Sequence, residues 1–282
     1  MFSKKAVPDK RLYDVIPSQN AMYLMHKVSL HKQQTQIPTS FTVDRELDFA
    51  LLRKAFLIEI ERNDCLRLRF IKTKAGIKQY FGDSYTYEVP VMNFSSPEEQ
   101  QEFFDKDACL PVRFMKGEMF RMYFYRTKGC GCGIYTNFSH MIMDAAGIVI
   151  FYLDLLKVYD ALEKVADMPA PLHRYEDYIV KKLEEAADEK KTQKHEAFYR
   201  EYFSRGGAPF YAGAHGSELL DSFRKKKKDP SARVPMAYNP LHDRCDMEIY
   251  HISKDELDKI AGFCMSNQIS PENVFQLGLR TY

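Results

Sequence analysis

The sequence predicts an α/β fold in which a mixed, largely antiparallel sheet is covered by helices. Three observations predict it: short segments alternate apolar and polar residues at period two, apolar residues recur at helical spacing between them, and glycine-containing turns separate neighbouring strand segments.

In chain order, Leu12 to Ile16 leads to Pro17-Ser18, helix-start chemistry ahead of Ala21, Met22, Leu24 and Met25, which predicts a first helix. Thr39 to Val43 alternates as a strand. Leu47-Asp48-Phe49 opens a helix whose Leu52, Phe56 and Ile60 lie on one face, a core-facing stripe. Leu66 to Phe70 alternates apolar and basic residues, and Ile77 to Phe81 pairs with it in a hairpin across Thr73 to Gly76. Ser96-Pro97-Glu98-Glu99 supplies a cap, a proline at the first helical position and first-turn acids, so Ser96 to Asp107 reads as a short helix. Met119 to Arg126 and Cys132 to Phe138 flank Lys128 to Gly131 as two antiparallel strands. Ile148 to Leu162 is an apolar helix long enough to cover a sheet face, and Tyr175 to Phe203 reads as one charged, half-exposed helix. From Gly206 to about Arg244 the glycines, prolines, serines and the basic run Arg224 to Lys228 read as a linker or mobile loop. A strand at Met247 to Ile252 follows, then a helix capped by Ser253 with Glu256 in its first turn, and another opening at Ser270-Pro271-Glu272.

The 282 residues, 45% hydrophobic and 28% charged, suffice for one large core or two lobes. The 41 Lys+Arg against 39 Asp+Glu leave a net charge of +2, too balanced for a nucleic-acid or membrane surface to be the main partner. No apolar run reaches the ~18 residues of a membrane span. Cys65, Cys109, Cys130, Cys132, Cys245 and Cys264 are unevenly scattered, and Met1 leads into a charged stretch, so a reduced, cytoplasmic protein is expected.

The stretch Asn137 to Gly147 carries the strongest chemical signal: an apolar strand delivers Ser139-His140 into a turn before a helix. An imidazole, with an ordinary pKa of about 6.5, can take a proton from an alcohol, amine or thiol near neutral pH. Asp144 is placed to cap the helix, or to accept an arginine and hold the turn. By itself His-x-x-x-Asp is equally a satisfied histidine followed by an N-cap.

Three further stretches give that pattern company. The string around His140 resembles the His-His-x-x-x-Asp-Gly motif of the condensation domains of nonribosomal peptide synthetases and their relatives in the chloramphenicol-acetyltransferase-like acyltransferase superfamily. Arg62 to Phe70 is similar to the family's Arg-His-Glu-x-Leu-Arg-Thr-x-Phe segment at Arg62, Leu66, Arg67 and Phe70; Ser18-Gln19 resembles the opening Ser-x-x-Gln segment; and Tyr175-Glu176-Asp177-Tyr178 resembles the Tyr-x-Asp-Tyr signature.

The resemblance implies two facing lobes of similar α/β fold with a tunnel between them. The expected division is an N-terminal lobe over 1–172, a bridging helix over 173–205, a linker or mobile loop over 206–245 and an incomplete second lobe over 246–282; a fragment is expected, because the family fold needs a second lobe comparable to the first. His140 corresponds to the catalytic histidine, a general base or positioning group. The aspartate corresponding to Asp144 is structural and pairs with an arginine; Arg62 is a candidate partner, as is an arginine of the missing lobe. Breaking such a buried pair from one side costs about 3 to 5 kcal/mol. Ser139 stands where peptide-forming condensation domains have their first histidine, and Ala145 replaces the glycine after the aspartate. Both departures favour a stand-alone acyltransferase.

The implied activity moves an acyl group from a thioester, of coenzyme A or a carrier protein, to a hydroxyl or amine of a small-molecule acceptor. No tightly bound cofactor is expected. The complete protein is expected to be an enzyme and this chain alone inactive. The rival is a non-catalytic binding or interaction module that keeps the fold without turnover. Cys130-Gly131-Cys132 with His140 eight residues later invites a zinc reading, but a glycine-containing turn with two reduced thiols is expected there and no metal site. Cys65 reads as packed, Arg224 to Lys228 as a solvated linker or a phosphate contact, and the remaining histidines stay unassigned. Val274, Phe275, Leu277 and Leu279 form an apolar helical surface suited to self-association.

Overall fold

The structure is a computed structural model that describes residues 9–43, 45–112, 114–115, 117–205, 224–228 and 250–281. It divides into two compact units, 1–198 and 199–282.

In the first unit, β1 (Tyr13–Asp14), β4 (Gly76–Phe81) and β3 (Leu68–Thr73) form a three-stranded antiparallel sheet in the order β1-β4-β3. The second sheet runs β2 (Gln36–Val43), β7 (Gly131–Ser139), β6 (Phe120–Thr127), β5 (Val91–Phe94); only β5 and β6 pair in parallel, so the sheet is mixed and largely antiparallel. Five helices and part of a sixth complete the unit: α1 (Pro17–Val28), α2 (Phe49–Arg62), α3 (Pro97–Cys109), α4 (Ala145–Lys164), α5 (Tyr175–Ala187) and the start of α6 (Glu189–Arg205).

Local chemistry sets the boundaries. Asp48 caps α2 by accepting from the amides of Ala50 and Leu51, Ser96 caps α3 at the Glu99 amide, and Pro17 and Pro97 occupy first-turn positions where no amide donor is needed. The predicted stripe of Leu52, Phe56 and Ile60 is fully buried; Phe56 meets Phe120 and Phe151 edge-on, which joins α2, the sheet and α4 in one core. Gly133 is required in β7. A Cβ there would lie 2.2 Å from the Phe41 carbonyl oxygen and 2.6 Å from the Tyr125 hydroxyl, which crosses the strand to bond Thr42 at 2.7 Å.

Three expectations need correction. Leu66 and Arg67 lie in a 3-10 turn over Asp64–Arg67, and β3 starts only at Leu68. The single charged helix is two, broken at Asp188, whose side chain accepts from the Lys191 amide as a new helix start. In the second unit the described part of the Met247 to Ile252 strand, Tyr250 to Ile252, is not a strand; 247–249 lie outside the described residues. So does most of the 206–245 linker, apart from the basic run, which makes one helical turn. The last two helices form as expected: α7 (Lys254–Asn267), with the reciprocal Ser253–Glu256 cap, and α8 (Pro271–Thr281), whose Phe275, Leu277 and Leu279 are exposed. Among the described residues no helix is long and apolar enough to cross a membrane.

Candidate active site

Strand β7 ends at Ser139, and His140 occupies the turn that carries the chain into α4. Backbone bonds hold that turn on both sides. The Ser139 amide donates to the Met119 carbonyl at 2.8 Å, the His140 amide to the Thr35 carbonyl at 2.8 Å, and the Ile142 amide to the Ser139 carbonyl at 3.1 Å. Ser139 is buried, and its hydroxyl accepts from the Met141 amide at 3.3 Å, so the residue standing where peptide-forming domains have a histidine braces the turn from inside. The His140 side chain is exposed, and among the described residues its imidazole has no hydrogen-bond partner. Met141, Ile142 and Met143 fill the core beneath it.

Asp144 is the N-cap of α4, its Oδ1 accepting from the Gly147 amide at 2.8 Å. Gly147 permits that approach, since a Cβ there would sit 2.8 Å from Met143 Sδ and 3.3 Å from Asp144 Oδ1. Ala145 therefore costs the turn little: the glycine it needs stands two positions later. Asp144 does not pair with Arg62. The Arg62 guanidinium instead grips Asp154 in the middle of α4, through Nε at 2.8 Å and Nη2 at 3.1 Å, and donates to the carbonyls of Pro169 and Ala170. The expected pairing fails because α4 begins at Ala145: the end of α2 lies alongside the middle of α4, where Asp154 stands, rather than beside its N-cap.

Glu59, fully buried one turn before Arg62, lies 3.6 Å from its Nε, and among the described residues no group donates a hydrogen bond to its carboxyl oxygens. Burial, followed by the adjacent Asp154 carboxylate, pushes its pKa up to about 9. Burial also opposes ionisation of Asp154, but the Arg62 guanidinium and the neighbouring Glu59 carboxyl together hold that carboxyl below its usual range.

The four resembling stretches meet in pairs. Gln19 on α1 donates to the Met141 carbonyl at 3.2 Å, joining the opening segment to the His140 turn. Asp64, beside Arg62, accepts from the amides of Tyr175 at 2.7 Å and Glu176 at 3.1 Å, which caps the Tyr-x-Asp-Tyr helix on the second segment. Burial first, then neighbouring charges, raise the pKa values of the Cys65 thiol and the Tyr175 phenol. Cys65 is packed, with its thiol 3.0 Å from Asn63 Oδ1. Cys132 is buried and donates to the Arg45 carbonyl, whereas Cys130 is exposed in the preceding turn. Sequence reasoning missed Thr35 and Gln79, because a single threonine or glutamine carries no pattern; Gly147 was in view but unassigned.

The family profile described as "Condensation domain" matches residues 9–209. This chain belongs to the condensation-domain family. Surfactin synthase subunit 2 of Bacillus subtilis (strain 168) is 22% identical over 200 residues, which are 71% of this chain and 5% of that protein. The starter condensation domain of rhizomide synthetase RzmA superposes with a TM-score of 0.64 at 18% identity, covering 71% of this chain and 49% of that one. An RzmA variant solved in complex with C8-CoA and Leu-SNAC gives 0.64 at 17%, covering 73% and 48%. The fold is therefore that of the RzmA starter condensation domain, and the chain spans about half the length of the structures it matches and about a twentieth of the synthetase subunit.

Proposed function

We propose that the His140 turn is the centre of an acyl transfer from a thioester, borne by coenzyme A or a carrier protein, to the amine or hydroxyl of a small acceptor. A ring nitrogen of His140 takes the proton as the acceptor attacks the thioester carbonyl; the C–S bond breaks, the new C–N or C–O bond remains, and the thiolate leaves with the proton returned from the imidazolium. Asp144 shapes the turn by capping α4, Ser139 braces it from below, and Arg62 steadies the α2–α4 pair on which it rests. The observation carrying this reading is the exposed imidazole on a turn fixed by its backbone, to which the opening segment is bonded through Gln19.

The test is release of free thiol by the complete protein from octanoyl-coenzyme A with Leu-SNAC as acceptor, the ligand pair seated in the RzmA variant. His140→Ala is expected to lower the rate by about a hundredfold or more. A rate unchanged in that variant, or no thiol released from acyl thioesters of any chain length, overturns the reading. The Ser139 and Ala145 departures favour one alternative, a binding module without turnover. Saturable octanoyl-coenzyme A binding with no thiol release would select it.

A further inference from the structure

The turn that carries His140 is tied to the other sheet by a buried pair of amides. Gln19 is 3% exposed and Gln79, in the middle strand of the three-stranded sheet, is fully buried. Gln19 Nε2 donates to two acceptors, Gln79 Oε1 at 2.9 Å and the Met141 carbonyl at 3.2 Å, and its Oε1 accepts from the Ile16 amide at 3.1 Å. Gln79 Nε2 donates in turn to the Asp14 carbonyl at 2.7 Å. Every donor and acceptor has one orientation that satisfies it: the Ile16 amide fixes Gln19 with oxygen toward the helix start and nitrogen toward the turn, and the Asp14 carbonyl fixes Gln79 with oxygen toward Gln19.

The carbonyl so held belongs to the residue after His140. The His140 amide on one side and the Met141 carbonyl on the other thus have fixed partners, Thr35 and Gln19, on separate elements. The peptide between the two residues is held by the Met141 amide donating to the Ser139 hydroxyl, so three successive peptides of the turn each carry one fixed bond. We infer that Gln19, oriented by Gln79, is a positioning residue that fixes the direction of the His140 side chain through the Met141 carbonyl. Gln19 itself lies beneath the site and touches no reacting atom. Its catalytic consequence rests on the function proposed above; its geometric claim does not.

The experiment uses the full chain and two readouts. Gln19→Met keeps the length and removes both donors; Gln79→Met removes the group that orients Gln19 without touching the turn; Thr127→Val removes a buried hydroxyl at the far end of the sheet, bonded to Gln100, as a control for general loosening. Amide hydrogen exchange is followed at His140 and Ile142 and, for reference, at Phe124 in β6. Gln19→Met is expected to speed exchange of the two turn amides by about tenfold or more while Phe124 holds, with Gln79→Met smaller and in the same direction, and Thr127→Val sparing the turn. In thiol release, Gln19→Met is expected to lower kcat by about tenfold to a hundredfold with KM for octanoyl-coenzyme A within about twofold, because orientation and not binding is lost. The Gln19→Met/Gln79→Met double variant should be no worse than Gln19→Met alone.

Unchanged exchange at His140 and Ile142 in Gln19→Met overturns the inference whatever the activity. So does a kcat loss no larger than that of Thr127→Val. A parent protein that releases no thiol removes the proposed reaction and leaves the exchange result to decide the positioning claim.

Discussion

Two regions of the first unit, both reached by α4, are held together by opposite means. The turn before α4 is pinned by neutral bonds to Thr35, Met119, Ser139 and Gln19, with a single carboxylate, Asp144, at its edge. The contact between α2 and the middle of α4 is built from titratable groups: Arg62 bonds the Asp154 carboxylate beside the buried Glu59. Neutral bonds keep the same geometry at any pH a cell meets, whereas a buried ion cluster depends on which members are charged. The pH sensitivity of the fold therefore sits away from the turn that carries His140, and the two can be perturbed separately.

The largest effect is expected from breaking the ionic region. Arg62→Leu leaves Asp154, only 5% exposed, without its cation and frees the Pro169 and Ala170 carbonyls that fix the approach to α5. A stability loss of about 3 to 5 kcal/mol is expected by urea unfolding at pH 7. A loss under about 1 kcal/mol would mean that the cluster is no stronger than a surface pair.

Glu59→Gln is expected to act in the opposite direction. With its pKa raised from 4.5 to about 9, folded Glu59 keeps a proton that the unfolded chain has given up at pH 7. Between those values the native state binds more protons, so stability falls as pH rises, by about 1.4 kcal/mol per unit, or on the order of 3 kcal/mol by pH 7. Glutamine keeps the shape without the proton. The variant should be more stable than the parent near pH 7 to 8, and the gain should vanish toward pH 4.5. Unfolding curves for both proteins across that range check it, and a gain independent of pH would show that the Glu59 carboxyl has the same pKa in the folded and the unfolded chain.

What the sequence discloses follows the same division. Features carried by local pattern are legible: the Leu52, Phe56, Ile60 stripe, the caps at Asp48, Ser96 and Ser253, the hairpins, and the His140 turn with its helix. Features that depend on which elements meet are not. The Arg62–Asp154 pair spans ninety-two positions and the Gln19–Met141 bond one hundred and twenty-two, and neither leaves a periodicity or a spacing to read. Arg62 and Asp144 belong to resembling segments and carry opposite charge, which made their pairing reasonable; the register of α2 along α4 decides otherwise. The break at Asp188 escaped notice for a third reason. The charged residues on both sides favour helix equally, and only the cap formed by that single side chain divides them.

The smallest effect on stability tests the comparison where its two halves touch. If Asp144 were one side of a buried ion pair, Asp144→Ala would cost about 3 to 5 kcal/mol, as much as Arg62→Leu. As an exposed N-cap that accepts one amide, it should cost about 1 kcal/mol, and Asp144→Asn, which still accepts from Gly147, should cost a few tenths at most. The rate of thiol release should separate from stability here: Asp144→Ala frees the start of α4 beside His140 and should lower the rate, while Asp144→Asn keeps the cap and should retain most of it. Equal, severe loss of stability in both variants would restore a charged partner for Asp144. Parent-like stability with the rate lost in both would instead give its charge a part in the reaction, beyond the geometry of the turn.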